Sequence, residues 1–399
     1  MIVKQTMRGF LSLTAHPTGC EQNVLNQIEY VKSKAKVNGP KKVLVIGAST
    51  GFGLASRITA AYASDAATIA VFFEKEPQAG KTASAGWYNS AAFSKAAKND
   101  GLYAKNINGD AFSDEIKQKT IALIKADLGQ VDMIVYSLAS PMRMHPVTGV
   151  LHRSTLKPIG IDYSNKTVDF HTGKVSEVNI EAATDEDISN TIAVMGGEDW
   201  EMWIDALNEA GVLADNLVTL AYSYTGPTIT EPIYRKGTIG RAKDHLEETA
   251  YKITEKLASK GGKAYVSVNK ALVTQASAAI PVIPLYISIL FKVMKEKGLH
   301  EGCIEQIQRL FAEKLYNSQQ VIPLDEAGRI RIDDWEMRPD VQQEVSELWE
   351  NATTENISKT ADLKTYSKEF KKLFGFGFKN VDYHAEVNEL VEIEGLVEE

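Results

Sequence analysis

Cysteine is nearly absent: Cys20 and Cys303 are the two in 399 residues, with no CxxC and no secretory signal. A disulfide-stapled secreted scaffold is thereby excluded, and a reducing cytoplasm is the expected setting. Long apolar runs are also missing. The strongest, Ala279 to Phe291 ("AIPVIPLYISILF"), is broken by Pro281 and Pro284, whereas a membrane span needs about 20 consecutive apolar residues. It reads as a buried helix or the wall of an apolar pocket, and no membrane span is expected. Basic charge is not in excess, since 44 Lys and Arg face 52 Asp and Glu for a formal charge of −8. Nucleic-acid binders gain affinity from concentrated Lys and Arg, so that class of partner is excluded. The seven histidines form no HExxH-like pair. "LHEGC" (299–303) is read as helix with incidental polar residues, and no metal is assigned. Neither an internal repeat nor a low-complexity tract occurs.

What remains is ordinary globular composition, 44% hydrophobic and 24% charged, in a pattern of alternating strands and helices. "VNGPKK" leads as a linker into "VLVI" (43–46), a continuous apolar run of the kind found in strands buried on both faces. Gly47, Gly51 and Gly53 follow, with Ala48, Ser49, Thr50 and Phe52 between them, and then an alanine-rich helical stretch. Such a turn lets the backbone approach a pyrophosphate, and the helix start offers free N–H groups and a positive dipole end. The GxxxGxG spacing is the variant associated with short-chain dehydrogenase-like Rossmann domains.

The next strand, "ATIAVFF" (67–73), runs through Phe73 and ends at Glu74. An acidic residue there accepts hydrogen bonds from the adenosine ribose and repels a 2′-phosphate, which favours NADH over NADPH. Lys75 could oppose this if it turned inward. Asp110 and Ala111 close a third strand beside the adenine edge, and Leu138 and Ala139 close a fourth near the nicotinamide ribose. A fifth strand ends at the tyrosine pair in "LAYSYTGP". A sixth precedes Leu272, Val273 and Thr274 near the carboxamide. This order predicts an α/β fold: a Rossmann-type doubly wound parallel sheet with helices on both faces. One large domain over 1–399 is expected, with its nucleotide-binding core in 41–140 and 216–314. A substrate-side insertion at 141–215 should contain hairpins and then a helix from "MGGEDWEMWIDAL". The C-terminal extension at 315–399 should be helical, with "DEAGRIRIDDWE" as a short hairpin.

"YRKGTIGRAK" (234–243) holds a tyrosine and a lysine nine residues apart. In one continuous helix they would lie on opposite faces. Gly237, Thr238 and Gly240 argue instead for a turn, then a helix from about Ile239 to Ala258 with Thr238 as N-cap. A bend there could aim Tyr234 and Lys243 into one cleft. On this stretch alone, a core tyrosine and a solvated lysine are the simpler reading.

The set "HPTGC", "VIGASTGFGLASRI", "GWYNSAAF", "VYSLASP", "VMGGEDW", "YRKGTIG" and "VSVNKALVTQASAAIP" closely resembles the trans-2-enoyl-CoA reductase family, also called FabV-type enoyl-ACP reductases, over nearly the whole chain. The resemblance implies NADH-dependent reduction of the carbon–carbon double bond of an enoyl thioester carried on acyl-carrier protein or coenzyme A. It implies that Tyr234 and Lys243 pair as the family's Tyr-x8-Lys motif and that Tyr224 contacts substrate. It also implies that residues 47–52, Phe73, Glu74, Asp110, Ala111, Leu138, Ala139 and 272–274 contact NADH, as Lys243 would through the ribose. Lys243 is expected to lower the pKa of Tyr234, and Lys236 to point into solvent. A monomer is expected. Two alternatives stand beside this reading: a carbonyl or ketoacyl reductase of the short-chain dehydrogenase type, and a dinucleotide-binding regulator without catalysis. The first normally has Tyr-x3-Lys, which would need a lysine at Thr238.

Overall fold

Seven parallel strands form the central sheet of this computed structural model, which describes residues 1–8, 11–278 and 280–397. In chain order they are β1 (Lys42–Ile46), β2 (Ala67–Phe72), β3 (Ala104–Asn108), β4 (Val131–Tyr136), β5 (Leu213–Ser223), β6 (Lys263–Val268) and β7 (Ile330–Arg331). Across the sheet the order is β7-β6-β5-β4-β1-β2-β3. The chain starts in the middle at β1, winds out to β3, returns to β4 and winds the other way. The reversal between β1 and β4 opens a crevice at their carboxyl ends, where doubly wound sheets bind ligands.

The strands are apolar on both faces, as a covered parallel sheet requires. Their residues alternate between two separate cores: Val43 and Val45 join one, and Leu44 and Ile46 the other. The first core is closed by helices α1 (Pro17–Lys32), α2 (Gly51–Ser64), α3 (Ala85–Asn99), α8 (Ile283–Glu296) and α9 (Cys303–Arg309). The second is closed by α4 (Asp114–Leu123), α6 (Glu198–Glu209) and α7 (Thr238–Lys256), with Trp200 and Trp203 fully buried in it. The apolar run expected as buried helix is α8, buried from Ile283 to Phe291. Ala279, at the head of that run, lies outside the described residues.

The 141–215 segment holds the two expected hairpins, Met142–Met144 with Leu151–Arg153 and Tyr163–Asp169 with Lys174–Ile180. It also holds α5 (Asp185–Met195), started by a capping box at Thr184 and Asp187, which the sequence reading lacked. "DEAGRIRIDDWE" is not a hairpin. Its Ile330 and Arg331 pair in parallel with Ser267 and Val268, so this piece of the C-terminal extension becomes the seventh strand. Among the described residues it is followed by α10 (Pro339–Asn351), a single helical turn at Ile357–Thr360, and α11 (Leu363–Lys372).

Candidate active site

Apart from Lys243, which lies on α7, the residues expected to hold a dinucleotide follow the carboxyl ends of the sheet strands. At β1 the turn closes on itself: a Cβ at Gly53 would meet the Gly47 carbonyl oxygen at 1.9 Å, so glycine is required for α2 to begin there. At Gly51 the same added atom meets nothing within 4 Å, so the turn is open on its outer side. Thr50 is the N-cap of α2 and places no side-chain bond on the helix's first N–H groups. Those donors and the helix dipole are available to an anion.

At the end of β2, Phe73 is 77% exposed. Glu74 accepts a 2.6 Å hydrogen bond from Ser49 Oγ, which ties the acidic residue to the glycine turn. Burial raises its pKa, while bonds from Ser49 and Ser84 oppose the rise. Lys75 is exposed, with its backbone N–H bonded to Ser84. The loop after β3 is held from behind. Lys117 Nζ donates to the Phe112 carbonyl at 2.9 Å, and Trp203 Nε1 donates to that of Ala111 at 3.0 Å. The fully buried Lys117 is balanced by Asp199 at 2.9 Å, so its charge is not left unpaired. Leu138 and Ala139 follow β4, half-buried and exposed respectively.

A cavity of about 260 Å³ runs from this turn between α1, α9 and α11, and Thr50, Gly51, Leu272, Val273 and Thr274 line it. Asn89, on its wall, donates to the Ser49 carbonyl, but its buried Oδ1 has no partner among the described residues. Ser223 Oγ at the end of β5 is likewise unpartnered. Open backbone donors, orphaned polar atoms and an adjacent cavity fit a bound dinucleotide.

Tyr234 sits in the turn before α7, and Lys243 in that helix's second turn. The turn is tight: a Cβ at Gly240 would meet the Arg235 carbonyl oxygen at 2.1 Å. Thr238 is not the N-cap. Gly237 takes that position, while Thr238 is the first helical residue and donates its hydroxyl to the Thr155 carbonyl at 2.7 Å. The Thr238 N–H also donates to the Lys157 carbonyl, so the insertion pins the turn that carries Tyr234.

Tyr234 is only 8% exposed, and Lys243 Nζ donates to the Tyr222 carbonyl at 3.1 Å. Lys243 is therefore not a solvated lysine. Among the described residues no hydrogen bond joins the two side chains, and the expected tuning is not what the site shows. Burial first, then the charges of Glu336 and Tyr366, push the Tyr234 pKa up, and Lys243 contributes no visible lowering. Burial pulls Lys243 down to about 8, opposed by Glu247 one helical turn away. Lys236 behaves as expected, with its side chain 70% exposed and paired to Glu231 at 3.0 Å.

Tyr224 stands edge-on to Tyr234, with ring centroids 4.8 Å apart and planes at 86°. Behind the pair lies a buried group absent from the sequence reading. Glu336 accepts from Tyr286 at 2.6 Å and from Tyr224 at 3.1 Å. Tyr366, on α11, is fully buried and its hydroxyl is unpartnered among the described residues. Nothing in "IDDWE" or "KTYSK" distinguishes Glu336 or Tyr366 from surface residues, because their partners lie 50 residues or more away in the chain.

Residues 81–316 match the family model for the trans-2-enoyl-CoA reductase catalytic region, and residues 2–79 that for the NAD(P)H binding domain of trans-2-enoyl-CoA reductase. Residues 324–387 match a model described as an enoyl reductase FAD binding domain. A protein of Cytophaga hutchinsonii named as an NADH enoyl-acyl-carrier-protein reductase is 70% identical over 397 residues, covering 100% of both chains. A Ruminiclostridium cellulolyticum protein named as an NADH trans-2-enoyl-CoA reductase is 64% identical, over 99% of this chain and 100% of its own. The crystal structure of Treponema denticola trans-2-enoyl-CoA reductase in complex with NAD superimposes with a TM-score of 0.95 at 53% identity. It covers 98% of this chain and 100% of that one. The 324–387 segment does not fit a flavin dinucleotide. Its one strand, β7, is followed by Asp333, Asp334 and Glu336, where a pyrophosphate would need glycine and free N–H groups. Its buried Tyr366 and Phe370 pack against Phe170.

Proposed function

The chain belongs to the trans-2-enoyl-CoA reductase family, and from that premise we propose how its own side chains carry out the reaction. It is an NADH-dependent reductase of trans-2-enoyl thioesters in fatty acid synthesis. When bound, NADH would supply the hydride for the β-carbon of the substrate. The thioester oxygen would then take up the negative charge as an enolate, and a proton at the α-carbon would complete the reduction. Tyr234 is the donor aimed at that oxygen. A single such donor is typically worth roughly 2.7–4 kcal/mol to the transition state. Its burial-raised pKa suits the role, because the hydroxyl stays protonated at neutral pH.

Lys243 holds the cofactor ribose and supplies positive charge next to the developing enolate. With its pKa at about 8, most of it is still an ammonium at pH 7. Tyr224 shapes the substrate side of the cleft against the Tyr234 ring. Residues 47–53, Asp110, Ala111, Leu138, Ala139 and 272–274 line the path of the dinucleotide. Phe73 covers the adenine, and Glu74 selects the unphosphorylated ribose. The carrier is coenzyme A or acyl-carrier protein, for relatives named after each are similar along the full chain. The observation that carries the reading is a buried tyrosine, Tyr234, whose hydroxyl has no hydrogen-bond partner among the described residues, and a lysine, Lys243, bonded to the carbonyl of Tyr222, whose ring meets Phe52 of the dinucleotide turn. Loss of NADH absorbance on adding crotonyl-CoA tests it. A ketoacyl reductase would leave crotonyl-CoA intact and consume NADH with a β-ketoacyl thioester, and a regulator would consume it with neither.

A further inference from the structure

Glu336 is fully buried beside the reaction centre, yet nothing in the mechanism above uses it. Burying a carboxyl is unfavourable unless its oxygens are satisfied. Here both are. Oε1 accepts from the hydroxyls of Tyr286 and Tyr224, at 2.6 and 3.1 Å. Oε2 accepts from the Ala271 N–H at 2.7 Å. Gln342 Nε2 in turn donates to the Glu336 carbonyl at 2.7 Å. Lys270 is 2% exposed, donates to the Ala271 carbonyl at 3.0 Å, and supplies the nearby positive charge.

These bonds link three parts of the chain. Tyr224 follows β5 and stacks edge-on against Tyr234. Ala271 immediately precedes Leu272, Val273 and Thr274 on the cavity wall. Glu336 follows β7 in the C-terminal extension. We propose that Glu336 is a positioning residue for the reductase: one oxygen fixes the Tyr224 hydroxyl, and with it the face presented to Tyr234, while the other clamps the 271–274 wall. The Tyr224 hydroxyl also lies near Thr230, and the bond to the carboxylate fixes its direction between them. Glu336 thus supports the cleft from behind, while α11 of the same extension lines the adjoining cavity with Glu369 and Lys372. The inference rests on the reductase reading for its effect on turnover, and on geometry alone for the clamp.

Two readouts separate those parts. In crotonyl-CoA reduction, Glu336→Gln keeps the shape and can leave its amide oxygen on the Ala271 N–H, but it then turns an NH2 toward the Tyr224 and Tyr286 hydroxyls, and should lower kcat by about ten- to a hundredfold. NADH affinity should stay within about twofold, because the bond to Ala271 that holds the 272–274 wall is kept. In a Tyr224→Phe background the same substitution should cost less than about threefold more, since the shared hydroxyl is already gone. A kcat equal to wild type, or a full additive loss in the double variant, overturns the positioning role. The clamp is read without substrate by amide hydrogen exchange at Ala271, slow in wild type and fast in Glu336→Ala, which has no acceptor for that N–H. Equal exchange in both overturns it even if the wild type proves inactive on crotonyl-CoA. Should Glu336→Gln fail to fold, Tyr286→Phe removes one donor and leaves the carboxylate and Tyr224 in place. It should lower kcat alone but not on top of Tyr224→Phe, and additive losses there contradict the proposal.

Discussion

The two halves of the cleft are built differently. The nucleotide half is made of backbone: a glycine turn, a helix start and the ends of four neighbouring strands, β1 to β4. The reducing half is made of side chains: Tyr224, Tyr234 and Glu336 converge from distant segments, and Lys243 reaches the Tyr222 carbonyl, two residues from Tyr224. A backbone site constrains which residues can occupy consecutive positions. A side-chain site constrains only where unrelated positions meet in space. The first half should therefore be tolerant of side-chain exchange outside its glycines and sensitive in cofactor choice, and the second sensitive in turnover.

The largest effect that would break this contrast concerns Lys243. Lys243→Met removes the buried ammonium, and kcat/KM for crotonyl-CoA should fall by about a hundredfold or more, with weaker NADH binding by fluorescence titration. The wild type should show the same dependence through pH. Because burial has lowered the pKa to about 8, the ammonium is present below that value and lost as pH rises through it. NADH affinity should decline across that range, and a flat profile from pH 7 to about 9.5 would take Lys243 out of cofactor binding. A smaller effect belongs to the backbone half. Glu74→Ser removes the carboxylate that would face a 2′-phosphate, so the NADPH-to-NADH ratio of kcat/KM should rise by about tenfold. An unchanged ratio would mean that Ser49 merely stores that carboxylate. The smallest is Lys236→Ala, expected within about threefold of wild type because an exposed ion pair contributes little.

The same contrast explains what the sequence disclosed. Val43 to Ile46 followed by Gly47, Gly51 and Gly53 is legible because strand, turn and helix start are contiguous, and each glycine answers a local steric demand. The parallel, doubly wound sheet followed from the alternation of apolar runs with helical stretches. β7 was misread as half of a hairpin, because two residues carry too little periodicity to announce a parallel partner in β6. Thr238 was misread as a cap because its hydroxyl is used across the fold, by Thr155 and Lys157, rather than by its own helix. Tyr234 and Lys243 were found through family resemblance, whereas their spacing alone pointed away from each other. Glu336, Lys270 and Tyr286 gave no signal, since a buried carboxylate in an acidic stretch looks like a solvated one until its partners are known.

The central claim is that Tyr234 supplies the hydrogen bond on which reduction of the enoyl thioester depends. Steady-state crotonyl-CoA reduction by wild type and Tyr234→Phe, with NADH titrated into both, tests it most directly. Wild type should oxidise NADH, and the variant should lose about a hundred- to a thousandfold in kcat with NADH affinity unchanged. A Tyr234→Phe enzyme that turns over crotonyl-CoA at the wild-type rate would contradict the account.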